Sequence, residues 1–184
     1  MKVTELAMPG LKLIEPRRFG DGRGWFSEVW QNERYRDAGI AESFVQDNLA
    51  MSTRGVLRGL HAQEPHAQGK LVQVFQGQVF DVAVDLRVGS PTFAQWHGVI
   101  LDDANALQFY VPPGFLHGYY VMSERALFGY KTTDIYSPDT EYSVHWNDPS
   151  IGIEWPLDGT PILSDKDRSA PLLADIAESR MSRF

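Results

Sequence analysis

Arg58, His61 and Lys70 lie close together in GVLRGLHAQEPHAQGKLVQVF, residues 55–75, and supply three kinds of chemistry. A guanidinium forks onto anionic oxygens. An imidazole titrates near neutrality, with a reference pKa of about 6.5. An ammonium adds a point charge. The stretch reads as two strands meeting at a turn, which would draw the three groups together. A second stretch, VPPGFLHGYYV at 111–121, adds His117 behind a Pro-Pro-Gly turn. Together they predict an all-β enzyme whose pocket handles an anionic substrate by proton transfer.

The elements around these residues read as short strands. Gly and Pro (16 and 11) are spread evenly between runs rich in Val, Phe, Tyr and Ile. KLVQVF (70–75) and QVFDVAVDLR (78–87) flank a hairpin break at Gln76-Gly77. In the second run Phe80, Val82, Val84 and Leu86 share one face, and Val79, Asp81, Ala83 and Asp85 the other. Two carboxylates on a narrow face suggest a barrel with a polar, partly hollow interior. WHGVILD, LQFYVP, GYYVMS, ALFGYKTTDIY and YSVHWN continue the series between 96 and 147. QNERYRDAG (31–39) reads as a short helix ended by Gly39. PLLADIAESRM (171–181) begins with Pro and spaces Leu172, Leu173, Ile176 and Ala177 as a C-terminal helix would. One domain over residues 1–184 is the expectation.

Composition excludes several classes. The chain has 17 basic and 24 acidic residues, a formal net charge of −7, which argues against non-specific nucleic-acid binding. There is no cysteine, hence neither a disulfide framework nor thiolate chemistry. The charged N-terminal stretch does not read as a signal peptide, and no apolar run approaches membrane-spanning length. A cytoplasmic location is the default.

Pro112-Pro113-Gly114-Phe115-Leu116-His117 resembles the second half of the cupin signature, P-x-G-x-x-H. Cupins are small jelly-roll barrels. Their metal-binding members take two His and a Glu from a first motif, H-x-H followed closely by Glu. Here that motif reads His61-Ala62-Gln63, and Glu64 has the wrong strand parity to join His61. Gln63 is a poor transition-metal ligand, and a catalytic zinc normally has three protein ligands. No metal and no other cofactor are expected.

With these residues assembled, the chain resembles the dTDP-4-dehydrorhamnose 3,5-epimerase family, which acts on dTDP-4-keto-6-deoxyglucose. DGRGWFSEVW, FVQDN, GVLRGLHAQ, AQGKLVQVFQGQVFDVAVDLR, SPTFAQWHGVIL, PPGFLHGYYV, YKTTDIYSP, WNDPSIGIEWP and LSDKDRSAPLL carry the likeness, in order, almost end to end. The resemblance implies a cupin-like jelly-roll barrel with a few short helices. It also implies a homodimer in which an N-terminal strand crosses to the partner. His61 matches the family's general base, Asp167 the carboxylate paired with it, and Tyr130 the acid on the opposite face of the sugar. Lys70 matches the cation that stabilises the enolate. Ser164 to Asp167 is also a helix-start pattern, Tyr136 is the rival to Tyr130, and Asp81 needs a partner such as Lys70 or His61.

Arg23, Glu28, Gln46, Asp47, Asn48, Arg58, Lys70, His117, Glu141 and Lys166 match substrate-binding positions, with Arg23 and Arg58 suited to the diphosphate. Two features depart from the family: Ala62 stands where an aromatic usually follows the base, and Leu49-Ala50 replaces a polar pair. Both are expected near the pocket wall. The resemblance implies inversion of C3 and C5 of a dTDP-linked 4-keto-6-deoxyhexose. The alternatives are a 3- or 5-mono-epimerase, a metal-dependent cupin dioxygenase and a non-catalytic sugar-binding cupin.

Overall fold

The computed structural model describes residues 1–184. The strands are β1 (Lys2–Glu5), β2 (Lys12–Glu15), β3 (Arg18–Asp21), β4 (Gly24–Ser27), β5 (Gln46–Thr53), β6 (Leu57–Gln63) and β7 (Lys70–Gln76). They continue as β8 (Gln78–Asp85), β9 (Trp96–Asp102), β10 (Gln108–Val111), β11 (Phe115–Val121), β12 (Arg125–Thr132) and β13 (Glu141–Ser143). Two short helices, α1 (Asn32–Asp37) and α2 (Asp165–Arg168), interrupt the series. No helix is long and apolar enough to cross a membrane.

Six strands pair in the order β1-β2-β10-β7-β12-β5 and five in the order β13-β6-β11-β8-β9. The β3–β4 hairpin forms a separate ribbon. The pairings within all three sheets are antiparallel. One apolar cluster joins the two large sheets, with Val72, Phe109 and Phe128 from the first and Val79, Leu101 and Val121 from the second. Burying each such Phe, Val or Leu contributes roughly 1.5–3 kcal/mol. This is a jelly-roll barrel of the cupin type: the turn-punctuated strand pattern predicts an all-β barrel, and the family resemblance implies the jelly roll.

The alternation in β8 sorts as read. Val82, Val84 and Leu86 join a second cluster with Leu60, Leu116, Tyr142 and Leu173. Val79 and Ala83 turn to the first cluster, and Asp81 shares their face. The sheet is therefore buried on both sides. The break at Gln76-Gly77 is a tight turn: Gly77 has φ +83°, and a Cβ there would stand 2.1 Å from the Arg125 carbonyl oxygen.

One expectation is refined and one needs correction. Residues 55–75 form two strands about a turn, as expected, but the strands do not pair with each other. β6 and β7 belong to different sheets, so the turn between them crosses the barrel and sets Arg58 and His61 on the wall facing Lys70. The C-terminal stretch 171–181 is not an α-helix. It forms two 3₁₀ turns, Leu173–Asp175 and Glu178–Arg180. Asp148 Oδ2 accepts from Leu173 N at 2.6 Å and the Pro171 carbonyl from His145 N at 2.8 Å, while Leu173 and Met181 are buried. These anchors stretch the segment across the second cluster. The helix expected at 31–39 is present as α1, capped by the Gln31 side chain and followed by Gly39 at φ +80°.

Candidate active site

The two histidines of the sequence motifs are cross-strand neighbours: His117 on β11 is directly opposite His61 on β6. Two glycines let these strands close. A Cβ on Gly59 would lie 2.6 Å from Gly118 Cα, and Gly59 has φ +121°. The register shifts between His117 and Tyr119, next to this contact. The side chains here line a cavity of about 440 Å³ between the sheets, a size suited to a small-molecule ligand.

His61 Nε2 lies 2.6 Å from Asp167 Oδ1. The carboxylate comes from α2, whose N-cap Ser164 accepts from Asp167 N at 3.1 Å. The helix-start pattern and the pairing are thus one arrangement. Burial alone would raise the Asp167 pKa, but the hydrogen bond and charge of His61, with Ser164 and Lys166, bring it below the ordinary value. Asp167 is nearly buried and His61 partly open to the cavity.

Lys70 opens β7 on the opposite wall. Burial pulls its pKa down to about 8, against the attraction of Asp81 and Glu141. The partner of Asp81 is His117 rather than His61, with Nε2 at 2.9 and 3.0 Å from the two carboxylate oxygens. Burial pushes Asp81 up and His117 down, each toward its uncharged form. Lys70 contributes at longer range to both.

Tyr130, on β12 of the six-stranded sheet, faces this cavity as well. Burial raises its pKa, which keeps the phenol protonated. Tyr136 is 52% exposed, lies in an adjoining hollow and donates to Glu141 Oε2 at 2.9 Å. Glu141 also pairs with Lys166. Burial opposes ionisation of Glu141, but Lys166 and Tyr136 outweigh it and lower its pKa.

The cavity therefore gathers Arg58, His61, Lys70, His117, Tyr130, Lys166 and Asp167. Gln46, Asn48 and Glu141 line the adjoining hollow, which shares Tyr130 with it. Gln46 Nε2 donates to Asn48 Oδ1 at 2.8 Å, as their common parity on β5 requires. Three candidates stand elsewhere. Asp47 points to the other face of β5 and pairs with Lys131 at 2.8 Å. Arg23 pairs with Asp21 at 2.5 Å on the exposed hairpin, and Glu28 with Arg34 at 2.8 Å.

The departures noted in the sequence also separate. Ala62 is not on the pocket wall. It packs into the second cluster with Tyr142, its cross-strand neighbour. Leu49 is exposed and faces a different hollow, whereas Ala50 does line the cavity. Gln63 binds loops: Nε2 donates to the carbonyls of His66 and Ile135, and Oε1 accepts from Ser137 N at 3.0 Å. Glu64 accepts from Ser182 Oγ. No cluster of three or more His, Asp or Glu has the geometry of a metal site, so the cupin metal set does not fit this barrel.

Sequence reasoning missed Tyr119, Phe128 and Ile162 to Ser164 in the cavity wall. Tyr119 was within reach, since it shares strand parity with His117. The 162–164 segment comes from a loop with no periodic signal.

The fold is of the cupin type, and its cavity sets a His–Asp pair facing a Lys and a Tyr across the barrel, groups able to accept and donate protons. The family model for dTDP-4-dehydrorhamnose 3,5-epimerase matches residues 5–175. A dTDP-4-dehydrorhamnose 3,5-epimerase of Pseudomonas aeruginosa is 54% identical over 176 residues, 95% of this chain and 97% of the relative. A dTDP-4-dehydrorhamnose 3-epimerase of Streptomyces niveus is 40% identical, covering 97% and 87%. A crystal structure of dTDP-6-deoxy-D-glucose-3,5-epimerase from Legionella pneumophila, in complex with dTDP-4-keto-L-rhamnose, superposes with a TM-score of 0.97. It is 50% identical, over 100% of this chain and 98% of that one. The chain belongs to the dTDP-4-dehydrorhamnose 3,5-epimerase family.

Proposed function

We infer that this protein inverts C3 and C5 of dTDP-4-keto-6-deoxyglucose by stepwise proton transfer, giving dTDP-4-dehydrorhamnose. The observation that carries the mechanism is the placement of base and acid on opposed sheets: His61 on β6 and Tyr130 on β12 line one cavity. Inversion at a carbon needs a base on one face and a proton donor on the other.

With Nε2–H donated to Asp167, His61 keeps a lone pair on Nδ1 to take the proton α to the C4 ketone. The C–H electron pair moves into the ring as an enolate. Lys70, a cation in a dry wall, stabilises the charge on that oxygen as it develops. Tyr130 then protonates the carbon from the opposite face. Reset of the His61 imidazolium and the Tyr130 phenolate restores the site for the second carbon. Arg58, His117 and Lys166 bind the substrate from the cavity, and Gln46, Asn48 and Glu141 from its extension.

The protein acts as a homodimer of one-domain chains, in the cytoplasm, without a metal or cofactor. Arg23 and Glu28 support the dimer, because neither lines its own chain's cavity. The hairpin that bears Arg23, and that Glu28 follows, carries Phe19, Trp25 and Phe26 at 50%, 62% and 69% exposure, apolar surface that a second copy would cover. Asp47, turned away from the cavity, has no substrate role in this reading.

The test is proton NMR of the keto sugar with the enzyme in deuterium oxide. Deuterium should enter C3 and C5, with inverted product at both. Exchange and inversion at C3 alone would make it a 3-epimerase, like the Streptomyces relative.

A further inference from the structure

Tyr119 holds a buried polar atom that the cavity leaves over. The residue is 4% exposed, and its hydroxyl has no hydrogen-bond partner in the protein. Its neighbour Ser52 accepts from Arg58 Nε at 3.1 Å and makes no hydrogen bond of ordinary geometry to the phenol. Buried hydroxyls are seldom left unpaired, because the lost hydration is not recovered.

The register says where this hydroxyl belongs. Tyr119 is the cross-strand neighbour of Arg58 on one side and Asp81 on the other, so the three share the face that lines the barrel. Asp81 meets His117 with both carboxylate oxygens and makes no hydrogen bond to the Tyr119 hydroxyl. The Tyr119 ring stacks on Phe128, with centroids 4.1 Å apart and planes 20° from parallel. That packing fixes the ring, so the hydroxyl cannot turn out to solvent. Burial raises its pKa despite Ser52 and Arg58, so it remains a donor. An anionic oxygen beside Arg58 would satisfy the guanidinium and the phenol together.

We propose that Tyr119 is an additional substrate-binding residue, whose hydroxyl donates to a phosphoryl oxygen of the nucleotide diphosphate held by Arg58. This rests on the nucleotide-sugar reading above and adds to it a neutral donor for the anionic group. The contact is made in the ground state as well as the transition state, so it acts on binding more than on turnover.

The test is Tyr119→Phe, with dTDP binding by calorimetry, Tm of the unliganded protein, and steady-state kinetics on the keto sugar. Hydrogen bonds to charged groups suggest about a tenfold loss of dTDP affinity, a similar rise in KM and little change in kcat. The unliganded Tm should hold or rise, because an unpaired buried hydroxyl has been removed. Unchanged dTDP affinity overturns the proposal. So does a raised KM with dTDP affinity intact, which would assign the hydroxyl to the sugar. A clear fall in unliganded Tm overturns it too, by showing that the hydroxyl already has a partner within the protein. Turnover of the keto sugar by the unaltered enzyme checks the functional reading separately.

Discussion

Asp167 reaches His61 across 106 residues of chain, and the cap of its own helix aims it. Ser164 Oγ fixes the Asp167 backbone while the carboxylate meets the imidazole. One four-residue helix therefore sets the position of the carboxylate that meets His61.

Asp167→Asn keeps the shape and removes the charge. Deuterium uptake at C3 and C5 should fall about 100-fold or more, by analogy with the loss of an orienting carboxylate in a hydrolase triad. His61→Ala should cost about 100- to 10,000-fold. Exchange near the unaltered rate in His61→Ala would show that another group is the base, and in Asp167→Asn that the charge of the carboxylate is not needed.

Tyr130→Phe removes only the hydroxyl proposed as the acid. Deuterium should still wash into the substrate with retention, while inverted product falls sharply. Tyr136→Phe should spare inversion, since its hydroxyl is committed to Glu141 in the adjoining hollow. The opposite pattern, read by NMR, would transfer the acid role to Tyr136.

Lys70 should set the alkaline limit of activity. Its pKa is brought down to about 8 by burial, so its charge is lost as pH rises through that value. Plotted against pH, kcat/KM should decline on the alkaline side near pH 8, not near the ordinary lysine value. Lys70→Arg remains charged, so whatever activity it retains should lack that limb. An unchanged limb in the variant would assign the titration elsewhere.

Arg23→Ala and His61→Ala chains should each be inactive alone. Mixed into verified heterodimers, they should recover part of the activity, because one hybrid pocket is intact. Heterodimers without rescue, or an active monomer in sedimentation experiments, would overturn the composite site.

Exhaustive chelation should leave turnover unchanged, as Gln63 and Glu64 are bound to loop and tail. Activity lost to a chelator and restored by one metal would replace this mechanism.

The sequence by itself determined the strands and most of the groups in the pocket. Turn residues bound the apolar runs of β7 to β12, and period-two alternation sorts the two faces of β8, because side-chain direction along a strand follows from local geometry. Parity alone puts Gln46 with Asn48, separates Glu64 from His61, and pairs neither with Asp47. What the tertiary structure decided is partnership over distance. Whether β6 and β7 pair or face each other depends on the turn between them, not on either strand's pattern. Asp81 takes His117 through the register of β8 and β11. Ala62 turns to the core, while Ala50 reaches the cavity. The C-terminal stretch has helical spacing, yet buried anchors and hydrogen bonds to the 145–148 loop draw it out. Local chemistry fixes which way a side chain points, but only the closed barrel fixes what it meets.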